Sequence, residues 1–178
     1  LCEQAEEVVI GIGSCNRYNL RNPFTPNETR EMIDLHLSQR FSNYDFVFLN
    51  DYGHITEYSD GRKWADDAVK AYGALDVFVS GNEYVKHLLG KDYPVINSHE
   101  IIPRNKWVKI SGTMVRTAMA VGRQWTPMVP SVVAEYLENN KLVERFRTEF
   151  GLETIAGLAD ETAYRRDAEA ERLHVTDG

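Results

Sequence analysis

The stretch VVIGIGS, residues 8–14, is a β-branched apolar run that stops in small residues. Consecutive apolar positions leave no face for water. The run therefore reads as a strand covered on both sides, as in a parallel sheet. YDFVFLND (44–51) and LDVFVSGN (75–82) repeat the form, and a shorter strand lies within YPVINSHEI (93–101). Helical patterns separate them. TPNETREMIDLHLSQRF (25–41) has Thr25 as N-cap, Pro26 at the first helical position and Glu28 completing a capping box. Met32, Leu35 and Phe41, with Ile33 and Leu37 beside them, form its inner stripe. KWADDAVKAYG (63–73) ends at Gly73, and NEYVKHLLG (82–90) makes a short helix. ISGTMVRTAMAVG (110–122) is a further helix, and PSVVAEYLENNKLVERFRTEFG (130–151) reads as one long helix, Pro-started and Gly-stopped.

Strand and helix alternate throughout, which predicts an α/β fold with a doubly wound parallel sheet. Ligands bind such sheets beyond the carboxyl ends of the strands. The endings GIGS, LND and VSGN place small and polar groups there. Residues 1–150 form the predicted domain, and 151–178 a helical tail whose Arg165–Arg166 pair is a solvated face.

The 178 residues carry a net charge of −7, which disfavours broad nucleic-acid binding but leaves room for a small anion held by local cations. A hydrophobic share of 43% suffices for a core. No apolar run reaches the roughly 18 residues of a membrane span. Two cysteines, Cys2 and Cys15, cannot make a disulfide framework, so a reducing, cytoplasmic setting is expected. Cys15 is expected to be inert.

VKISGTMVR (108–116) sets hydroxyl, glycine, hydroxyl and guanidinium where a helix begins. The first helical N–H groups are unpaired and that end is electropositive. Gly112 admits a close ligand, Ser111 and Thr113 offer hydroxyls, and Arg116 can fork around phosphate oxygens. Two readings stand on spacing alone: a phosphate site, or an ordinary helix cap with an incidental arginine. Lys109 either adds a phosphate contact or faces solvent. Trp107 and Trp125 are expected to pack.

Together with IGIGS…NPFTPNETREMI (10–33) and VFVSGNEYV (77–85), ISGTMVR (110–116) resembles the archaeal-type nicotinamide mononucleotide (NMN) adenylyltransferases of the HxGH nucleotidyltransferase superfamily. The resemblance spans about residues 1–145. It implies a Rossmann-like sheet of the nucleotidyltransferase type. It also implies a Mg²⁺-dependent reaction in which the 5′-phosphate of NMN attacks the α-phosphorus of ATP, giving NAD and pyrophosphate. On that basis Ser111, Thr113 and Arg116 hold the β and γ phosphates, with Gly112 between them. Arg21 lies near the phosphates or NMN, or is a solvated loop cation. Trp64 stacks on the nicotinamide, or covers the sheet. Asp51 accepts from the substrate amide or ribose, or is a plain loop carboxylate. Ser14, Ser80, Gly81 and Asn82 line the nucleotide pocket, unless Asn82 only caps the next helix. Family members are often multimeric, so a homo-oligomer is possible for the partners, with no nucleic acid and no membrane.

The sequence departs from the family in two places. The loop DYGHITEYSDGR (51–62) differs, which leaves another phosphorylated acceptor open. None of His36, His54, His87, His99 or His174 lies in an H-x-G-H, and no metal site is expected. The motif and the strand before it are expected upstream of Leu1; the other reading is a nucleotide-binding module without turnover.

Overall fold

The computed structural model describes the backbone of residues 1–175 and the side chains of residues 1–158. Arg165, Arg166 and His174 lie outside the described side chains. The chain divides into two compact units.

The first unit comprises 1–18 and 24–109. It holds β1 (Val8–Ile12), α1 (Pro26–Leu37), β2 (Tyr44–Phe48), α2 (Arg62–Tyr72), β3 (Phe78–Val79), α3 (Glu83–Leu89), β4 (Val95–Ile96) and α4 (Ser98–Ile101). The capping box starts α1 as the sequence predicts: Glu28 N–H donates to Thr25 Oγ1 at 3.2 Å, and Thr25 N–H to Glu28 Oε2 at 2.8 Å. Gly73 ends α2 at φ 69°, a conformation in which a side chain would be strained.

All paired strands are parallel. Val8 lies opposite Tyr44 and Ile12 opposite Phe48, while Phe78 lies opposite Val95 and Val79 opposite Ile96. The sequence predicts one continuous sheet; the described strands instead form two separate pairs, β1-β2 and β3-β4. The runs 75–82 and 93–101 yield strands of only two residues each, because Ser80 and Asn97 turn the chain into helices. Apolar contact holds the unit together. Leu49, Ala65, Ala68, Leu89 and Tyr93 are buried, and Trp64, Tyr72 and Phe78 pack against them.

The second unit comprises 19–23 and 110–178. Its helices are α5 (Gly112–Ala120), α6 (Ser131–Asn139) and α7 (Leu142–Val175). The expected single helix over 130–151 is in fact two. Lys141 takes φ 55°, and Asn140 N–H closes back on Tyr136 O, so the first helix stops there. Gly151, read as a stop, lies inside α7, which continues to Val175 without a break. A glycine ends a helix only where the backbone turns left-handed, and Gly151 stays helical. Met119, Leu137 and Phe146 are buried where α5, α6 and α7 meet. Arg147 Nε donates to Met119 O at 2.7 Å, which ties α7 to the last turn of α5. Trp125 is buried as expected, whereas Trp107 is 41% exposed and rests on His99 with its ring centroid 4.5 Å away.

Candidate functional site

In the second unit, Ser111 caps α5. Its Oγ accepts the Met114 N–H at 3.3 Å, and its carbonyl accepts the Val115 N–H at 3.2 Å. The cap reading is therefore correct for Ser111, and it does not exclude the anion reading. The N–H groups of Gly112 and Thr113 have no partner among the described residues and point along the helix axis toward its positive end. The Ser111 hydroxyl hydrogen also remains available, because Oγ acts only as acceptor in the cap.

Arg116 folds back over this end. Its Nη2 donates to Thr113 Oγ1 at 3.3 Å, and its Nη1 lies 3.0 Å from where a Cβ on Gly112 would stand. A second guanidinium sits beside it. The Arg116 pKa is held below its ordinary value, first by burial and then by the charge of Arg21. Among the described residues, no ion pair with a carboxylate involves either arginine. Two like charges with no internal counter-charge repel each other, and an anion bound between them would relieve that repulsion.

Arg21 owes its place to a turn within the polar loop 16–24. Asn19 Oδ1 accepts the Arg21 N–H at 3.0 Å and the Asn22 N–H at 3.1 Å, and Asn19 and Asn22 also exchange backbone hydrogen bonds. Arg145 of α7 donates to Pro23 O at 3.3 Å, anchoring the far side of the turn. An Asn that bonds its own backbone two residues on is a recognisable turn signal, and Asn19-x-x-Asn22 carried it.

Gly112→Ala should leave the melting temperature within about 0.5 kcal/mol of equivalent stability, since the only group displaced is the end of a flexible side chain. It should weaken ATP binding measurably by calorimetry, because the new methyl pushes the Arg116 guanidinium off the helix end. Unchanged affinity would mean that Arg116 does not work from this position.

The first unit carries the remaining candidates at its strand ends. Ser14 follows β1 at φ 57°, an uncommon conformation for a residue with a side chain. Asn16 ties this end to β2: its Oδ1 accepts the Asp51 N–H at 2.7 Å, and its Nδ2 donates to Asp51 O at 2.8 Å. The Asp51 carboxylate accepts the Gly53 N–H at 2.8 Å, so one oxygen shapes its own loop. Ser80 Oγ accepts the Asn82 N–H at 3.2 Å, and Asn82 Oδ1 caps α3 through the Tyr84 N–H at 2.9 Å. Gly81 faces Ser98 and Asn97, with room for little more than a methyl. Trp64 and Ser80 line one cleft of ≈ 460 Å³, and Trp64 also packs against the core cluster. The Cys15 thiol donates to Ile12 O at 3.1 Å, and burial raises its pKa, which lowers its thiolate fraction and its reactivity.

Asn16, two residues after Ser14, is bonded to Asp51, and the charge of Arg21 acts on Arg116, which lies over the helix end with Ser111, Gly112 and Thr113. Among the described residues no group of His, Cys, Asp or Glu is placed to hold a metal ion, and no helix is long and apolar enough to cross a membrane.

Comparison with protein-family models gave no match. A nicotinamide-nucleotide adenylyltransferase of Thermococcus kodakarensis is 32% identical over 146 residues, 81% of this chain and 74% of that protein. One of Methanococcus vannielii is 29% identical over 138 residues, 77% of this chain and 75% of that protein. Among solved structures, a bifunctional NMN adenylyltransferase/ADP-ribose pyrophosphatase of Francisella tularensis, complexed with AMP and a manganese ion, superposes with a TM-score of 0.59. At 17% identity it shares the fold, and this chain spans 45% of its length and 83% of its own. The fold is accordingly the Rossmann-like nucleotidyltransferase type. At 32% identity over an alignment that spans 74% of the Thermococcus protein, the chain belongs to the nicotinamide-nucleotide adenylyltransferases, a family of transferase enzymes.

Proposed function

We propose that this protein transfers AMP from ATP to the 5′-phosphate of NMN, giving NAD and pyrophosphate. The observation that carries the proposal is the paired, uncompensated guanidiniums of Arg21 and Arg116 beside the free amides of Gly112 and Thr113. Such a group suits the β and γ phosphates, which become the leaving pyrophosphate. Charge accumulates on that pyrophosphate as the α-phosphorus is attacked, so fixed donors there favour the transition state over the ground state. Arg116, Thr113 and Ser111 take this role, with Gly112 allowing the close approach. Mg²⁺ arrives as part of the MgATP substrate.

Ser14, Ser80, Gly81 and Asn82 are assigned to the nucleotide, Asp51 to a ribose or amide hydrogen, and Trp64 to a flat apolar wall. The free cysteines Cys2 and Cys15 suit a reducing compartment such as the cytoplasm. The reaction needs no covalent intermediate; positioning and charge stabilisation carry it.

The test is direct. Protein, ATP, Mg²⁺ and NMN are incubated, and NAD and pyrophosphate are followed by chromatography. Equal amounts of both are expected. Product with pantetheine phosphate or FMN, and none with NMN, would replace the acceptor. ATP binding with no product from any acceptor would favour a binding module. The loop 51–62 motivates that control: it folds on itself through a 3₁₀ turn at Thr56–Tyr58 and an edge-on Tyr52–Tyr58 pair 5.8 Å apart.

A further inference from the structure

The ladder between β1 and β2 runs on past both strands. Leu49 N–H donates to Ile12 O and Cys15 N–H to Leu49 O, both at 2.9 Å. Alternate residues of a strand face the same neighbour, so Asp51, two positions beyond Leu49, offers the next rung. The backbone that follows β1 does not supply it. Ser14 takes φ 57°, in the left-handed region, and Arg17 N–H closes back on Ser14 O at 2.9 Å, which turns the chain away. A side chain makes the rung instead. Asn16 Oδ1 accepts the Asp51 N–H at 2.7 Å, and Asn16 Nδ2 donates to Asp51 O at 2.8 Å. A carboxamide offers both a donor and an acceptor, as a peptide group does. Asn16 therefore stands in for a peptide and extends the ladder by one residue at its carboxyl end.

The consequence falls on Asp51. Asn16 holds both of its backbone groups, and its own Oδ1 accepts the Gly53 N–H at 2.8 Å. The next residue is held as well: the Tyr52 hydroxyl donates to Asp67 Oδ2 of α2 at 2.6 Å, which anchors the start of the loop. Among the described residues Asp51 makes no ion pair, and its second carboxylate oxygen bonds nothing. A carboxylate accepts only, so that oxygen is an acceptor of fixed direction at the carboxyl edge of the strands, where ligands bind. An acceptor placed before the ligand arrives costs no ordering on binding. Asn16 is exposed and Asp51 half-buried. Removing the Asn16 amide hands the Asp51 backbone groups to water rather than stranding them, so the cost in stability is small.

We infer that Asn16 is a positioning residue for the acceptor substrate: its side-chain amide sets the place of the Asp51 carboxylate, and it acts on NMN only through Asp51. The inference rests on the assignment of Asp51 to a ribose or amide hydrogen of NMN in the proposed reaction.

Binding tests it without turnover. Calorimetry gives the dissociation constants of ATP and of NMN, the latter in the presence of the unreactive analogue α,β-methylene ATP. The proteins compared are the wild type, Asn16→Ala, Asp51→Ala and the double variant. Asn16→Ala should weaken NMN roughly tenfold and leave ATP within about twofold, while melting close to the wild-type temperature. In the Asp51→Ala background the same substitution should change NMN affinity by less than about twofold, because the group it positions is gone. NMR supplies a readout with no ligand: the Asp51 amide should exchange roughly tenfold faster in Asn16→Ala. A tenfold penalty that persists without the Asp51 carboxylate would overturn the inference, since Asn16 would then act structurally or touch the ligand itself. Equal Asp51 amide exchange in the wild type and Asn16→Ala would overturn it too, as would normal NMN affinity in Asn16→Ala beside weakened affinity in Asp51→Ala. Normal NMN affinity in Asp51→Ala is a separate failure: it removes the assignment of Asp51 first, and the inference with it.

Discussion

Arg116→Ala is expected to weaken ATP binding, or slow adenylyl transfer, by about 2 kcal/mol or more, roughly a thirtyfold loss, while the folded protein is no less stable. The two halves of the expectation come from one geometry. Arg116 is half-buried, bonded only to Thr113 Oγ1 at 3.3 Å, and sits in the field of Arg21. An arginine held in this way contributes little to the fold, because its one internal bond is long and its nearest charge is repulsive. To a bound anion it would contribute through charge-assisted bonds in a partly desolvated place, where each is worth more than at a free surface. Removing it relieves the repulsion in the empty protein and removes the attraction in the complex. Calorimetric titration with ATP and a thermal melt without ligand check the two halves separately. A variant that melts lower yet binds ATP normally would make Arg116 a structural residue. Arg21→Ala should repeat the pattern with a smaller loss of affinity, since Arg21 is the more exposed of the two.

Phe146→Ala should cost about 3–5 kcal/mol, the range for deleting a large buried aromatic side chain. Phe146 is fully buried, and Phe150, one turn further along α7, has its ring centroid 6.3 Å away. Buried side chains of α5 and α6, Met119 and Leu137 among them, belong to the same unit and leave little freedom for collapse into the space left behind. The second unit should therefore loosen first in urea. The transition is best followed by Trp125, which is buried in that unit. The catalytic consequence follows from packing rather than contact. α5 rests on α7 and is tied to it by the Arg147–Met119 bond, so softening α7 blurs the placement of Ser111, Thr113 and Arg116. ATP affinity should fall with stability in Phe146→Ala, whereas in Arg116→Ala it should fall alone. A loss under about 1 kcal/mol, with affinity intact, would show that the core of this unit lies elsewhere.

Much of this architecture is local chemistry and could be read residue by residue. The capping box of Thr25 and Glu28, the N-cap roles of Ser111 and Asn82, the glycine stop at Gly73 and the apolar run of β1 depend on neighbours a few positions away. The family could also be read, because its motifs are short and their residues adjacent. The break at Asn140–Lys141 could not. At that point Lys141 takes φ 55°, and Leu142, Val143 and Phe146 just beyond it are all buried.

The same division holds for the site. Ser111, Gly112, Thr113 and Arg116 announce themselves in sequence because one helix turn brings them together. Arg21 joins them from about 90 residues away, through a turn built by Asn19 and held by Arg145, and only the fold places its charge beside Arg116. Asn16 is hidden in the sequence for a related reason: its side chain bonds the backbone of Asp51, 35 positions on, and no local pattern marks such a pair. The sequence by itself determined the first strand, the helix caps and the hydroxyl–glycine–hydroxyl turn at the start of α5, since these follow from interactions within a few residues. Only the tertiary structure decided where the second arginine lies, where the last long helix divides, and that Asn16 meets Asp51 beyond the strand ends. Burial and charge proximity are properties of the whole chain.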